Sequence, residues 1–343
     1  MPETSVVLPS KANPMSAALA RFRRSHEFWL LAVIAVMVLA LSLATESFLT
    51  WQNLFDLLTS NAFIGILASG LLVVLIAGHI DISFTATASL AQYLALTVGI
   101  RYGLGWLALF ALAGATGMLC GLINAVFVTK LRISSIIVSI ATLNLFYGLL
   151  IFTTGGNYIT SLPKFFRDGI SWFEHEDASG VPYGLNLQIL LLIGAFAVTW
   201  LLLNRSNIGR QIYALGGNKD AAQRLGFHVF RINLLVYGYL GLIAGVASIA
   251  QAQLAQSVTP TVLVGKELDV LAAVVLGGAS LNGGVGTVFG AILGVTLLAI
   301  LQNGLVLVGV SSYWNQWFVG LTILLAVSIT AWSERRRRAR GSP

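Results

Sequence analysis

The sequence predicts an all-α protein that crosses a membrane. The expected architecture is a bundle of about ten transmembrane helices with broken or re-entrant segments and both termini cytoplasmic. Three observations predict it. The 343 residues are 57% apolar and only 10% charged, with a mean hydropathy of +0.85; ordinary soluble domains are about a quarter charged. The charge-free stretches are long enough to span hydrocarbon, which takes about 20 apolar residues as a helix. The basic residues fall mostly on one side of those stretches, as the positive-inside rule requires. This composition excludes a cytosolic enzyme, a disordered chain and a secreted disulfide scaffold; the one cysteine, Cys120, has no partner in the chain.

The elements follow from the gaps between charges. Residues 28–45, 57–80, 82–100, 102–129, 133–163, 178–204 and 232–265 carry no charge, and neither does the whole run 270–333. That last run is too long for one span, and Gly277, Gly278, Asn282, Gly283, Gly284 and Gly286, then Gly309, Ser311 and Ser312, divide it. The spans read as 28–47, 61–78, 86–100, 105–129, 134–154, 187–203, 232–253, 266–281, 287–308 and 314–332, with 86–100 and 266–281 short or irregular. With this count, the segments before the first span, after the fourth, between the sixth and seventh, and after the tenth share one side. They hold sixteen of the twenty basic residues, leaving Arg101, Lys164, Arg167 and Lys266 on the other. The basic balance (+7) is therefore a matter of topology, and no nucleic-acid partner is expected. Residues 1–27 and 333–343 read as cytoplasmic tails flanking a membrane domain at 28–332. The G-x-x-x-G spacings at Gly117/Gly121, Gly241/Gly245 and Gly286/Gly290/Gly294 read as close helix packing within one bundle.

Catalytic signatures are missing. The chain has no G-x-x-x-x-G-K-[ST], no G-x-S-x-G and no H-E-x-x-H, and its four histidines lie in separate segments. No catalytic residue, metal ligand or cofactor is expected, and a conduit or coupling element is.

Polar chemistry concentrates in three places. Ala77-Gly78-His79-Ile80-Asp81-Ile82-Ser83 breaks an apolar helix with glycine and places a carboxylate at the break. Asp81 either caps the third span through backbone N–H groups or takes a direct part in transport. Val275 through Gly284, with Gly277, Gly278 and Asn282, repeats the pattern late in the chain; paired broken helices point to a binding region or pathway. The loop 204–231 contains a short helix at 218–225, with Asn218 as N-cap, Lys219 and Asp220 in its first turn, Ala221, Ala222 and Arg224 following, and Gly226 at C′. Two turns are not stable alone, so this is either an interfacial loop or a helix that docks into a partner. The segment 155–186, with Phe165, Phe166, Trp172 and Phe173, reads as an interfacial helix on the outer leaflet, its acidic end available to an external partner. Neutral polar residues within spans, such as Asn124, Thr142, Asn144, Gln251, Gln253, Gln302, Asn303 and Gln316, suit either a pathway for a hydroxylated solute or interhelical hydrogen bonds.

These residues resemble a family. Gly78-His79-Ile80-Asp81-Ile82-Ser83 is similar to the G-G-I-D-L-S stretch of permease subunits of sugar-type ABC importers, those for ribose, xylose, arabinose, galactose and autoinducer-2. Gly121-Leu122-Ile123-Asn124 leading to Lys130-Leu131-Arg132-Ile133 resembles their next block. Gly209-Arg210, Ala214 through Asn218 and Ala221-Ala222 through Gly226 resemble the segment that docks on the ATPase, and Leu271 through Gly286 the late glycine-rich block. The resemblance runs from about residue 50 to 332. It departs at His79, where the family usually has glycine, and at Phe84.

The resemblance implies an inner-membrane permease subunit that works as a pair, with a cytoplasmic ATPase and a periplasmic solute-binding protein as partners. Residues Asn218, Lys219, Asp220, Ala221, Ala222, Arg224 and Gly226 then form the coupling helix, with Ala222 on a docked face too tight for a bulky charge. Gly78, Asp81, Ser83, Asn124, Asn144, Gly277, Gly278 and Asn282 are the pathway or helix-break candidates. The expected cargo is a sugar or related small polar solute. The alternatives are another solute (autoinducer-2, a nucleoside or a branched-chain amino acid) or a secondary transporter driven by an ion gradient, which needs titratable groups deep in the bundle.

Overall fold

The computed structural model describes residues 26–176, 180, 182–314, 317–322 and 324. Helices α1 (His26–Ala44), α2 (Trp51–Ser60), α3 (Ala62–Ile76), α4 (Phe84–Tyr102), α5 (Trp106–Lys130) and α6 (Ser135–Thr154) come first. A short helix α7 (Lys164–Asp168) and a hairpin of β1 (Ser171–Glu176) and β2 (Pro182–Asn186) follow. Then come α8 (Leu187–Trp200), extended by a π-turn to Arg205, and α9 (Asn207–Gly217), α10 (Lys219–Arg224), α11 (Val229–Ala255), α12 (Lys266–Leu276) and α13 (Val288–Leu307). Most of the span 314–332, with Gln316, and both terminal tails lie outside the described residues, except that α1 already includes His26 and Glu27.

Among the described residues, six helices are long and apolar enough to cross a membrane, or seven if α2 and α3, bent by 50° at Asn61, form one span. The two spans marked as irregular fall outside that set for different reasons. α4 has the length, but Thr85, Thr87, Ser89 and Gln92 dilute its hydropathy. α12 has 11 residues, about 16 Å at 1.5 Å per residue, roughly half the hydrocarbon thickness.

α3 is the axis of the molecule. All of its residues from Ala62 to Ile76 are buried, as an all-round apolar helix should be. It packs against α8, α11, α12 and α13. α5 and α11 form the most extensive helix pair. A Cβ added at Gly117 would collide with the Gly241 carbonyl, one at Gly241 with the Gly117 carbonyl, and one at Gly121 with the Tyr237 carbonyl. The glycines thus let two backbones touch within one bundle. In the same way, Gly290 meets Gly277 and Gly294 meets Ala273 across the α12–α13 pair.

The segment 155–186 corrects the sequence expectation of an interfacial helix. Pro163 and Gly169 (φ +71°) bracket α7 to five residues, and Gly180 (φ +75°) lies between the two strands of the hairpin. Phe166 is fully buried and stacks on Trp106 with ring centroids 4.9 Å apart, while Trp172 and Phe173 are exposed on β1. Reciprocal backbone bonds of 2.9 Å between Ile159 and Val258 tie this end to the α11–α12 loop.

Candidate functional site

Three interruptions of the helices meet at the end of the bundle that carries 204–231. The first is 77–83 between α3 and α4, the second 277–287 between α12 and α13, and the third the α9–α10 turn. The Gly284 N–H donates to the Ile76 carbonyl at 2.9 Å. A Cβ on Gly283 would lie 2.6 Å from the Gly78 Cα, and one on Gly284 2.8 Å from the Gly217 Cα. A Cβ on Gly216 would collide with the Ile76 carbonyl and lie 2.6 Å from the Gly284 nitrogen. Gly78 (φ +83°) and Gly278 (φ +91°) turn the chain out of α3 and α12 in the left-handed region that glycine adopts freely. The Tyr213 hydroxyl of α9 donates to the Gly286 carbonyl at 2.7 Å, and burial raises its phenol above the ordinary value.

The first break is fastened by side chains. Asp81 is 2% exposed. One carboxylate oxygen accepts from the Ser83 N–H and hydroxyl, both at 2.7 Å, and the other from the Asn124 amide at 3.1 Å. The Asn124 amide also donates to the Ser83 hydroxyl at 2.7 Å. Asp81 therefore caps by a local turn onto Ser83 and by a clasp onto α5, and not through the first N–H groups of α4. His79 Nε2 lies 3.1 Å from the Asn233 carbonyl oxygen of α11, and the Asn233 amide donates to Thr129 of α5 at 2.9 Å. The Ile80 N–H donates to Ser135 of α6 at 3.1 Å. His79, the departure from the family pattern, is thus a tie between the break and two helices.

The second break is fastened from α1. His26 Nε2 lies 2.8 Å from the Leu276 carbonyl, and Thr287 donates to the Glu27 carboxylate at 2.6 Å. Asn282 is exposed, its N–H held by Ser280 at 3.2 Å.

The helix read at 218–225 is present as α10. Asn218 accepts from the Ala221 N–H at 3.0 Å. At the other end Gly226 (φ +84°) closes a Schellman pattern, with Phe227 N–H to Ala222 carbonyl at 3.1 Å and Gly226 N–H to Gln223 carbonyl at 2.9 Å. Lys219, Asp220, Ala221 and Arg224 are exposed. Ala222 is 1% exposed, which corrects its placement on a docking face: its methyl is covered by its own chain.

Of the candidates, Gly78 and Asn282 sit at the junction with α9–α10, Gly278 faces His26 of α1, Gly277 packs on α13, and Asp81, Ser83 and Asn124 form one network. Asn144 joins neither; it is exposed and donates to the Ile140 carbonyl one turn back at 2.8 Å. Gln251, Gln302 and Asn303 line a cavity of about 470 Å³ with Asp56, Asn61 and Lys266 at the opposite end of the bundle. Sequence reasoning overlooked Glu267, half-buried, which accepts from Thr85 of α4 at 3.0 Å. Next to Lys266 it read as an ordinary charge at a span end.

The family model described as the permease component of branched-chain amino acid transport systems matches residues 53–327. The ribose import permease protein of Escherichia coli strain K12 is 35% identical over 300 residues, 87% of this chain and 92% of the relative. An autoinducer 2 import system permease protein of Enterobacter sp. strain 638 is 35% identical over 86% of this chain and 83% of the relative. The L-arabinose ABC transporter permease protein of Azospirillum brasilense is 31% identical over 96% and 97%. No solved structure matches the chain.

Proposed function

Since the chain belongs to this family of transport-system permease components, we propose that it is the membrane-spanning subunit of an ATP-binding-cassette importer for a pentose or similar polyhydroxylated solute, set in the bacterial inner membrane with both termini cytoplasmic. Two copies form the pathway. A separate ATPase chain supplies the energy and a periplasmic binding protein delivers the solute. The relatives named for ribose, autoinducer-2 and arabinose support the solute class.

One observation carries the mechanism: Gly216 and Gly217, which lead directly into α10, lie in backbone contact with both helix breaks. In this reading the exposed residues Lys219, Asp220, Ala221 and Arg224 sit in a groove of the ATPase. Closure of the ATPase on ATP moves α10. With no side chain between the backbones, that displacement passes to the α3–α4 and α12–α13 breaks together. The bundle then alternates between an inward and an outward opening, two states with different contacts to the ATPase.

A second reading, import of a branched-chain amino acid, is favoured by the description of the family model. Purified with its binding protein and ATPase in proteoliposomes, the complex is expected to take up D-ribose or L-arabinose with ATP and not L-leucine. Leucine uptake alone supports the second reading. Uptake without ATP that an ionophore abolishes overturns the importer mechanism.

A further inference from the structure

α4 carries a polar face that its own chain satisfies only in part. Thr85, Ser89 and Gln92 fall at i, i+4 and i+7, one face of a helix, and each is 1% exposed or less. Across from them stands Tyr147 of α6, which packs on the same helix beside Ala86. Its hydroxyl interacts with the hydroxyls of Thr85 and Ser89, in contacts outside ordinary hydrogen-bond geometry. Six buried side-chain polar atoms among the described residues have no hydrogen-bond partner. Four of them are here: Ser89 Oγ, Tyr147 Oη, and both the nitrogen and the oxygen of the Gln92 amide.

An unmet hydrogen bond in a buried site costs on the order of 1–3 kcal/mol per group. The Gln92 amide, with both of its polar atoms unmet, and the loosely held Ser89 and Tyr147 hydroxyls beside it call for a partner. It must be small and must offer donors and acceptors together, because Gln92 presents both. It cannot be a second protein copy, since the face is closed off inside this one. The charged group that meets this face is Glu267, which accepts from Thr85 and from its own Gly265 N–H at 3.0 Å. Glu267 lies in the first turn of α12, and the preceding residue, Lys266, lines the polar cavity with Gln251 and Gln302. The first turn of α12 therefore stands between that cavity and the α4 face.

We propose that Thr85, Ser89 and Gln92, with Tyr147 and Glu267, form a subsite for a neutral polyhydroxylated solute inside the permease, shut in the state described and reached past the first turn of α12. This rests on the importer reading and adds to it the solute's contact residues. Neutral amide and hydroxyl groups match sugar hydroxyls, and one carboxylate accepts from a pair of them.

The test uses the reconstituted complex with D-ribose and L-arabinose as probes. Gln92→Met keeps the volume and removes both orphan atoms. Replacing a buried unsatisfied polar group by an apolar one of like shape is neutral or stabilising. The subsite predicts a melting temperature equal to or above wild type together with a loss of pentose uptake of about tenfold, the equivalent of one or two hydrogen bonds. Ser89→Ala should follow in the same direction, and serves alone if the Met variant does not assemble. Wild-type uptake in a stable Gln92→Met or Ser89→Ala complex overturns the subsite and leaves the importer reading intact. A wild-type complex that carries L-leucine and neither pentose overturns the subsite together with the assignment of a polyhydroxylated solute.

Discussion

Asp81 is a carboxylate sealed inside the bundle, and three donors converge on it. Removing it strands those donors where no water reaches. Asp81→Ala is therefore expected to lower the stability of the detergent-solubilised chain by on the order of 3 kcal/mol, since each buried donor left without its acceptor costs about 1–3 kcal/mol. Asp81→Asn, which retains one acceptor oxygen, should fall between. Thermal melting and membrane yield check this, and full yield with wild-type melting in Asp81→Ala would make the clasp dispensable. The sequence marked Asp81 and Ser83 in one stretch and Asn124 apart from them. It held no sign that they touch, because 41 residues separate Ser83 from Asn124 and only the packing of α4 on α5 joins them.

At the scale of the element, α10 has two faces with opposite expectations. Ala221→Arg places a charge on the exposed side. The chain should melt as wild type and fail to retain its ATPase during purification. Ala222→Arg forces a long cation into the chain's own packing, so the permease itself should be destabilised by about 1–3 kcal/mol or more. Equal melting of the two variants would contradict the orientation of α10. The turn before α10 makes a sharper case. Gly216→Ala sets a methyl against the Ile76 carbonyl and the Gly284 nitrogen, and backbone cannot swing aside as a side chain can. ATP hydrolysis should then continue with few solute molecules moved per ATP; measured in proteoliposomes, an unchanged ratio would remove Gly216 from the transmission path. The helix itself was legible in the sequence, since Asn218 and Gly226 are local signals that act within a few residues. Its inward face was not, because the cap signals fix where the helix starts and stops and not which side of it is buried.

At the scale of the molecule, the charges give an expected sidedness that has a direct test. A Cys120→Ala background removes the one cysteine. In intact cells an impermeant thiol reagent should label Trp172→Cys, on the exposed strand β1, and should reach Arg224→Cys only after the membrane is opened. The reverse pattern would invert the orientation and place α10 away from any cytoplasmic ATPase.

Hydropathy, charge placement and turn chemistry are properties of short segments, and the sequence alone determined what depends on them. These are the positions of most of the long apolar helices, both glycine breaks, the short helix at 218–225 and the membrane class, while the helices Trp51–Ser60 and Asn207–Gly217 were not foreseen. It misjudged 155–186, where aromatic content suggested a helix and Pro163, Gly169 and Gly180 instead leave a five-residue turn and a hairpin. Tertiary structure decided what depends on distant segments coming together. It brought residues 76–78, 216–217 and 283–284 into backbone contact, turned Ala222 inward, and set Glu267 against Thr85. Glycine in a sequence states that the backbone is free to bend or to be approached; the second backbone that makes the approach is fixed only when the bundle closes.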